Sequence, residues 1–300
     1  MYIVKNNRIT NDTLQQWDEK FIPNTDCFYF REIPPYLSVQ ERGEIPLTLD
    51  SLTSFLSWNV VPEAKYIAVV SNEEFKNLDC KVRKQILLEQ VQVNRGFIFT
   101  LTELEQLYGE SLRHLLEPYI LNEKENIILQ GFIWHKLPRR LRDKLLTHIA
   151  EWFTDHESLS KEYESFYKDY PYISQYFNTF VGTNGPNCLG AAAASIQQTA
   201  LDAEYYLNKW VLPEEFYQVL KKHKYKRRGT ADIYKGNILV WELNNQAVHA
   251  CYMLSDEIAF NKNGQTMFNP YQCQKRDDVL ETWNHVLTGG GDLHVYEKCV

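Results

Sequence analysis

Apolar positions follow two different rhythms along this chain. In the first half, short continuous runs alternate with longer segments of helical spacing. Cys27-Phe28-Tyr29-Phe30 and Lys65-Tyr66-Ile67-Ala68-Val69-Val70 read as strands. Ser71 with Glu74 is a Ser-x-x-Glu capping pattern that opens a long polar helix reaching about Val93. Gly96 to Thr100 reads as another strand. Thr102 with Glu105 repeats the capping pattern, and Leu104, Leu107, Leu112, Leu115 and Leu116 supply an apolar face that stops before Pro118. Asn126 to Trp134 is a further strand. This alternation predicts a small α/β unit.

From Arg139 to about Phe153, Leu141, Leu145, Ile149 and Trp152 recur at helical spacing, and a polar stretch from Asp155 to Asp169 follows. The domain boundary is expected there, near residue 160 and within about ten residues of it. The expected division is therefore 1–160, an α/β domain of unassigned role, and 161–300. In the second half, Pro213 to His223 reads as an amphipathic helix with Pro in its first turn and Phe216, Val219 and Leu220 inward. Lys221 to Arg228 then carries seven basic or histidine residues in eight positions, the composition of a solvated connector. Strands follow at Ile238 to Trp241, Val248 to Leu254 and Ile258 to Asn261, with turns at Asn244-Asn245, Ser255-Asp256-Glu257 and Asn263-Gly264. Gly289-Gly290-Gly291-Asp292 precedes a strand (Leu293 to Tyr296) and no helix, so it is not a phosphate cradle.

Three hundred residues suffice for two cores without cross-links. A net charge of −7 argues against nucleic acid as the main partner. No apolar run reaches the roughly 18–20 residues of a membrane span, and Met1 to Asp12 does not resemble a signal peptide. The six cysteines (Cys27, Cys80, Cys188, Cys251, Cys273, Cys299) are dispersed, without metal-ligand spacing. The expectation is a cytoplasmic protein with free thiols, no metal and no cofactor.

Val181-Gly182-Thr183-Asn184-Gly185-Pro186-Asn187-Cys188-Leu189-Gly190 then changes the picture, followed by Ala191 to Ala194 and Ser195. A Gly/Asn/Pro loop gives way to a helix of small residues that begins with cysteine. At a helix amino end, unpaired N–H groups and the helix dipole favour thiolate and can hold an oxyanion beside the sulfur. A capped helix that merely starts with a buried cysteine is the other reading of these residues.

A cysteine nucleophile needs a base, and the base needs an orienting group. Of eight histidines, His249 alone lies inside a strand between small apolar neighbours. Parity across the following hairpin places His249, Asn261 and Asn263 on one sheet face, with Asn261 opposite or diagonal to the imidazole. Asn269 is a weaker orienting candidate. Cys251 shares the histidine's face one strand repeat away, roughly 7 Å along the chain, which suits packing better than nucleophilic attack.

These residues resemble the NlpC-type cell-wall endopeptidases of the papain-like superfamily, over about residues 170–300. The family's Asp-Cys-Ser-Gly is matched by Asn187-Cys188-Leu189-Gly190, and its Gly-Asp-Leu-Val-Phe-Phe by Gly236-Asn237-Ile238-Leu239-Val240-Trp241. Its His-Val-Gly-Ile-Tyr falls on His249-Ala250-Cys251-Tyr252-Met253, and its Phe-Val-His on Ala259-Phe260-Asn261. The chain departs from the pattern at Asn187, Leu189 and Asn237, positions tied to substrate choice. The resemblance implies an α+β fold in which the cysteine helix packs on an antiparallel sheet. It also implies a Cys188–His249–Asn261 triad, with Tyr176, twelve residues before the cysteine, contacting substrate near the oxyanion site; Asn187 and Asn263 are further candidate substrate contacts. The implied reaction is hydrolysis of an amide bond in a short peptide, with an isopeptide or D-amino-acid linkage. A thiol acyltransferase or amidase on the same scaffold, and a non-catalytic binding module, are the alternatives. Oligomeric state is left open.

Overall fold

The computed structural model describes residues 1–23, 25–44, 59–228 and 232–299. The chain divides into two compact units: Gln16–His148, and Met1–Gln15 together with Ile149–Val300. The first fifteen residues thus belong with the C-terminal half. They form a hairpin of β1 (Tyr2–Val4) and β2 (Asn7–Ile9), and α1 (Asn11–Lys20) follows. Left-handed Lys5 and Asn6 make the hairpin turn (φ 44° and 65°).

The Gln16–His148 unit has a three-stranded antiparallel sheet in the order β3 (Thr25–Phe30), β5 (Tyr66–Ser71), β4 (Gln40–Glu41). A separate hairpin pairs β6 (Ile98–Thr100) with β7 (Asn126–Ile128). The long helix expected after Ser71 is two: α2 (Asn72–Asn77), opened by the Ser71–Glu74 capping box, and α3 (Cys80–Gln92), capped by Asp79. The next capping box is formed by Thr100 and Glu103, two positions before the expected pair, and opens α4 (Leu101–Tyr108). The short helices α5 (Arg113–Leu116) and α6 (Gly131–Trp134) follow, then α7 (Arg139–Trp152). Residues 126–134 are therefore strand and then helix, not one strand. Phe28, Phe30, Ala68, Val70, Phe75, Ile86 and Leu87 form this unit's core.

The other unit is α+β. Its helices α8 (Cys188–Ser195), α9 (Ala200–Leu207) and α10 (Pro213–Lys222) precede a six-stranded antiparallel sheet. The strands are β8 (Tyr225–Arg228), β9 (Ile238–Leu243), β10 (Gln246–Met253), β11 (Ile258–Lys262), β12 (Tyr271–Lys275) and β13 (Asp292–Lys298), in the order β12-β11-β10-β9-β13-β8. The basic run expected as a connector splits: Lys221 and Lys222 end α10, and Tyr225–Arg228 form edge strand β8, where exposed Lys and Arg discourage further strand pairing. Between β12 and β13 lie α11 (Arg276–Thr282) and α12 (Asn284–Thr288). Asn244 and Asn245, both left-handed (φ 53° and 61°), close the β9–β10 hairpin. No helix among the described residues is long and apolar enough to cross a membrane.

Two apolar layers cover the two sheet faces. On one, α8, α9 and α10 pack Ala191 to Ala194, Leu207 and Phe216 against Ile238, Val240, Ala250, Tyr252, Phe260 and Tyr271. On the other, Val279 of α11 and Val286 of α12 pack against Leu239, Trp241, Cys251, Met253 and Ala259. Successive strand residues alternate between these layers, as pleating requires.

Candidate functional site

Cys188 is the first residue of α8, and Asn187 is its cap. The Asn187 Oδ1 accepts from the Gly190 N–H at 3.0 Å, and its Nδ2 donates to the Val211 carbonyl at 2.9 Å. Asn187, expected at the substrate, is therefore buried and committed to holding the helix start against the 208–212 segment. Gly190 lets the end of α9 and that segment approach: a Cβ there would lie 2.6 Å from the Tyr206 carbonyl oxygen and 3.3 Å from that of Lys209. The loop before the helix is tied to the 263–269 segment by Gly185 N–H to the Gln265 carbonyl and Met267 N–H to Asn184 Oδ1, at 2.8 and 2.9 Å.

The sulfur of Cys188 lies 3.9 Å from the Val248 carbonyl oxygen, and the side chain is 7% exposed. Burial raises the thiol above its ordinary range. The N–H groups of Ala250, Leu189 and Cys188 itself and the Lys262 ammonium oppose that rise. The N–H groups expected of a helix amino end are present, but burial outweighs them, so the resting thiol is not shifted toward thiolate as the sequence suggested.

His249 is not beside it. The imidazole stacks on the Trp283 indole, ring centroids 3.9 Å apart at 11°, and tilts against Trp241 at 5.2 Å. Trp241 belongs to the apolar layer under α11 and α12, whereas Cys188 belongs to the layer under α8. Cys188 and His249 therefore occupy opposite faces of the sheet, and the expected dyad is not assembled. The physical reason is a β-bulge. The β9–β10 pairing runs Ala247↔Glu242 and then His249↔Trp241, skipping Val248. In a regular strand Ala247 and His249 share a face, but one extra residue exchanges the faces beyond it. Ala247 and Ala250 both belong to the cysteine's layer, so alanines stand where a base was expected.

The hairpin asparagines went with the histidine. Asn261 donates to Gln274 Oε1 at 2.9 Å, and Asn263 accepts from the Trp283 indole N–H at 3.1 Å. Neither can orient a ring toward Cys188 or meet a substrate there, which corrects both assignments. Asn269 accepts from the Thr266 hydroxyl at 2.6 Å and donates to the Phe153 carbonyl at 3.0 Å, locking the turn after Gly264. Both His249 ring nitrogens, Asn261 Oδ1, Asn263 Nδ2, Gln274 Nε2 and Trp241 Nε1 are buried without a hydrogen-bond partner among the described residues. Burial, reinforced by His285, holds the His249 imidazole well below its ordinary range, so it is neutral at pH 7.

Tyr176 is the expected substrate contact that stays on the cysteine's side. It packs half-buried against the α8 layer, its ring edge meets Tyr271 at 5.7 Å, and its hydroxyl accepts from Asn208 at 3.3 Å. Cys251 lies in the far layer and Cys273 in the α8 layer, both fully buried packing thiols.

Sequence reasoning missed Lys262. On β11 it alternates with Phe260 and pairs with Tyr271, both of which face α8. It is 0% exposed, and its Nζ donates to the carbonyls of Gly264 and Thr266 at 3.0 and 2.9 Å. Burial pushes its ammonium down to about 7, while Cys188 pulls it up. The signal was the period-two pattern Ile258-x-Phe260-x-Lys262, which points the lysine inward. No group of His, Cys, Asp and Glu that could hold a metal occurs among the described residues. Comparison with protein-family models, curated proteins and solved structures finds no match.

Proposed function

We propose that the C-terminal unit is a papain-like thiol hydrolase of the NlpC type, working in a reducing cytoplasm. Its reaction is cleavage of a peptide or isopeptide amide, with Cys188 as nucleophile. One observation carries this reading: the Cys188 sulfur sits at the amino end of an eight-residue helix, faced by backbone N–H groups of its own first turn. Thiolate attack on an amide carbonyl leaves the developing oxyanion beside the N–H groups of Cys188 and Leu189, where fixed dipoles stabilise it without reorganisation. Tyr176, partly buried against the same layer as Cys188, is the substrate contact this reading keeps. His249, Asn261 and Asn263 have no role in this reading, and Asn187 acts only through the helix it caps.

Reaction with iodoacetamide at pH 7, mapped by mass spectrometry, tests it together with turnover of fluorogenic dipeptide and γ-glutamyl amides. Cys188 is expected to react at least tenfold faster than exposed Cys80, and Cys188→Ala to abolish turnover. Labelling led by Cys80, with no turnover, contradicts the proposal. That result favours a second reading, a binding module without activity, which rests on Ala247 and Ala250 standing on the thiol's face in place of histidine.

A further inference from the structure

The strands packed on α8 carry one cationic side chain into the cysteine's layer. Lys262 is fully buried on β11, next in the sheet to β10, whose Ala250 N–H faces the sulfur. A lysine ammonium has three N–H donors, and Lys262 spends two on the Gly264 and Thr266 carbonyls. Those two carbonyls match the two N–H bonds of a neutral amine and leave its lone pair free to take a proton. The turn at Gly264, held in the left-handed region (φ 109°), presents both carbonyls, so the amine is fixed by backbone and not by a flexible partner.

We propose that Lys262 is the proton acceptor of the Cys188 thiol, a role that rests on the hydrolase reading above. The neutral amine takes the thiol proton: the S–H bond breaks and an N–H bond forms, giving thiolate and ammonium. The thiolate forms a C–S bond to the amide carbonyl, whose π pair moves to oxygen. The ammonium returns its proton to the amide nitrogen as the C–N bond breaks, releasing the amine product and leaving a thioester. Water then adds to the thioester, Lys262 takes the water's proton, and the C–S bond breaks to release the acid and the thiolate. Proton return from the ammonium restores the thiol.

Burial supports this assignment, because it holds the amine near neutrality, where it can both accept and donate a proton at pH 7. The titratable groups around it are Cys188 on α8, Tyr271 on β12, and Tyr176, whose ring meets Tyr271. Burial raises both phenols and the thiol, so none of the three carries charge at pH 7, and the neutral amine meets a protonated thiol whose proton it can take.

Two measurements on the full chain test the pairing. The first is the pH profile of Cys188 alkylation and of amide turnover in wild type, Lys262→Met and Lys262→Arg. Wild-type alkylation is expected to rise with an inflection near pH 7. Lys262→Met should lose that inflection and fall at least tenfold at pH 7. Lys262→Arg, always cationic, should keep fast alkylation below pH 7 while losing turnover. The second measurement avoids substitution of the lysine: the NMR titration of the Lys262 side chain in wild type and in Cys188→Ser. Its midpoint should drop when the thiol is removed. A reactive Cys188 whose profile is unchanged by Lys262→Met, or a Lys262 midpoint indifferent to Cys188→Ser, overturns this pairing and leaves the hydrolase reading standing. A wild-type Cys188 no faster than Cys80 overturns both.

Discussion

Replacing Lys262 by Met should change the way stability depends on pH more than stability itself. The folded-state amine titrates at about 7, against 10.5 for an ordinary lysine. Because the folded value is the lower one, the unfolded chain binds more protons throughout that window, and stability rises with pH across it. The penalty of the buried ammonium is fully present below the window. At about 1.36 kcal/mol per pH unit, this lysine destabilises the fold by about 4.5 kcal/mol at pH 6 and about 2 kcal/mol at pH 9. It therefore adds about 2.5 kcal/mol of stability between those two values. Methionine has a similar length and no charge, so it removes this dependence. It also orphans the Gly264 and Thr266 carbonyls, at about 1–3 kcal/mol each, a cost that is the same at both pH values. Urea denaturation of both proteins at pH 6 and pH 9, followed by tryptophan fluorescence and circular dichroism, isolates the difference. Other titrating groups cancel between wild type and variant. The stability difference, variant minus wild type, should fall by about 2.5 kcal/mol from pH 6 to pH 9. A difference constant to within about 0.5 kcal/mol would show that the lysine is not buried as an amine, and the reasoning about this face would fail.

His249→Leu removes an imidazole with two unpaired buried nitrogens, each costing about 1–3 kcal/mol, and should leave the thermal midpoint equal or higher in a melting experiment. Asn187→Ala removes the cap of α8 and should cost about 1–2 kcal/mol in urea denaturation, with slower Cys188 alkylation as the helix start loosens. Gly190→Ala drives a Cβ to 2.6 Å from the Tyr206 carbonyl oxygen and should lose about 1–3 kcal/mol or more, read as a lower midpoint in the same assay.

Much of the C-terminal unit is legible in the sequence because its signals are local. The Gly-Asn-Pro loop, Asn187 as cap and the alanine run define where α8 starts. Paired asparagines at 244 and 245 mark a hairpin, and Asn263-Gly264 marks a turn. Period-two counting across the β10–β11 hairpin, which turns at Ser255–Glu257, also places His249, Asn261 and Asn263 on a common face. The face itself was misassigned because of Val248. Nothing in Gln246-Ala247-Val248-His249 announces a bulge. It follows from competition between two layers, one accepting Ala247 and the other closing indole rings over the imidazole. Lys262 was overlooked for a related reason. Lysine near a strand end reads as solvated, and only the loop that folds back over it supplies the carbonyls that let it stay buried. The N-terminal hairpin belongs to the C-terminal unit through contacts remote in sequence: the Arg8 N–H donates to the Asn178 carbonyl at 2.8 Å, and the Phe180 N–H to the Arg8 carbonyl at 3.1 Å. No short window encodes such pairings.

Side-by-side alkylation of Cys188 at pH 7 in His249→Ala and Lys262→Met probes the two sheet faces most directly. If the thiol answers to the lysine on its own face, Lys262→Met slows labelling at least tenfold and His249→Ala changes it less than twofold. The reverse order, with His249→Ala slow and Lys262→Met unaffected, would contradict the account.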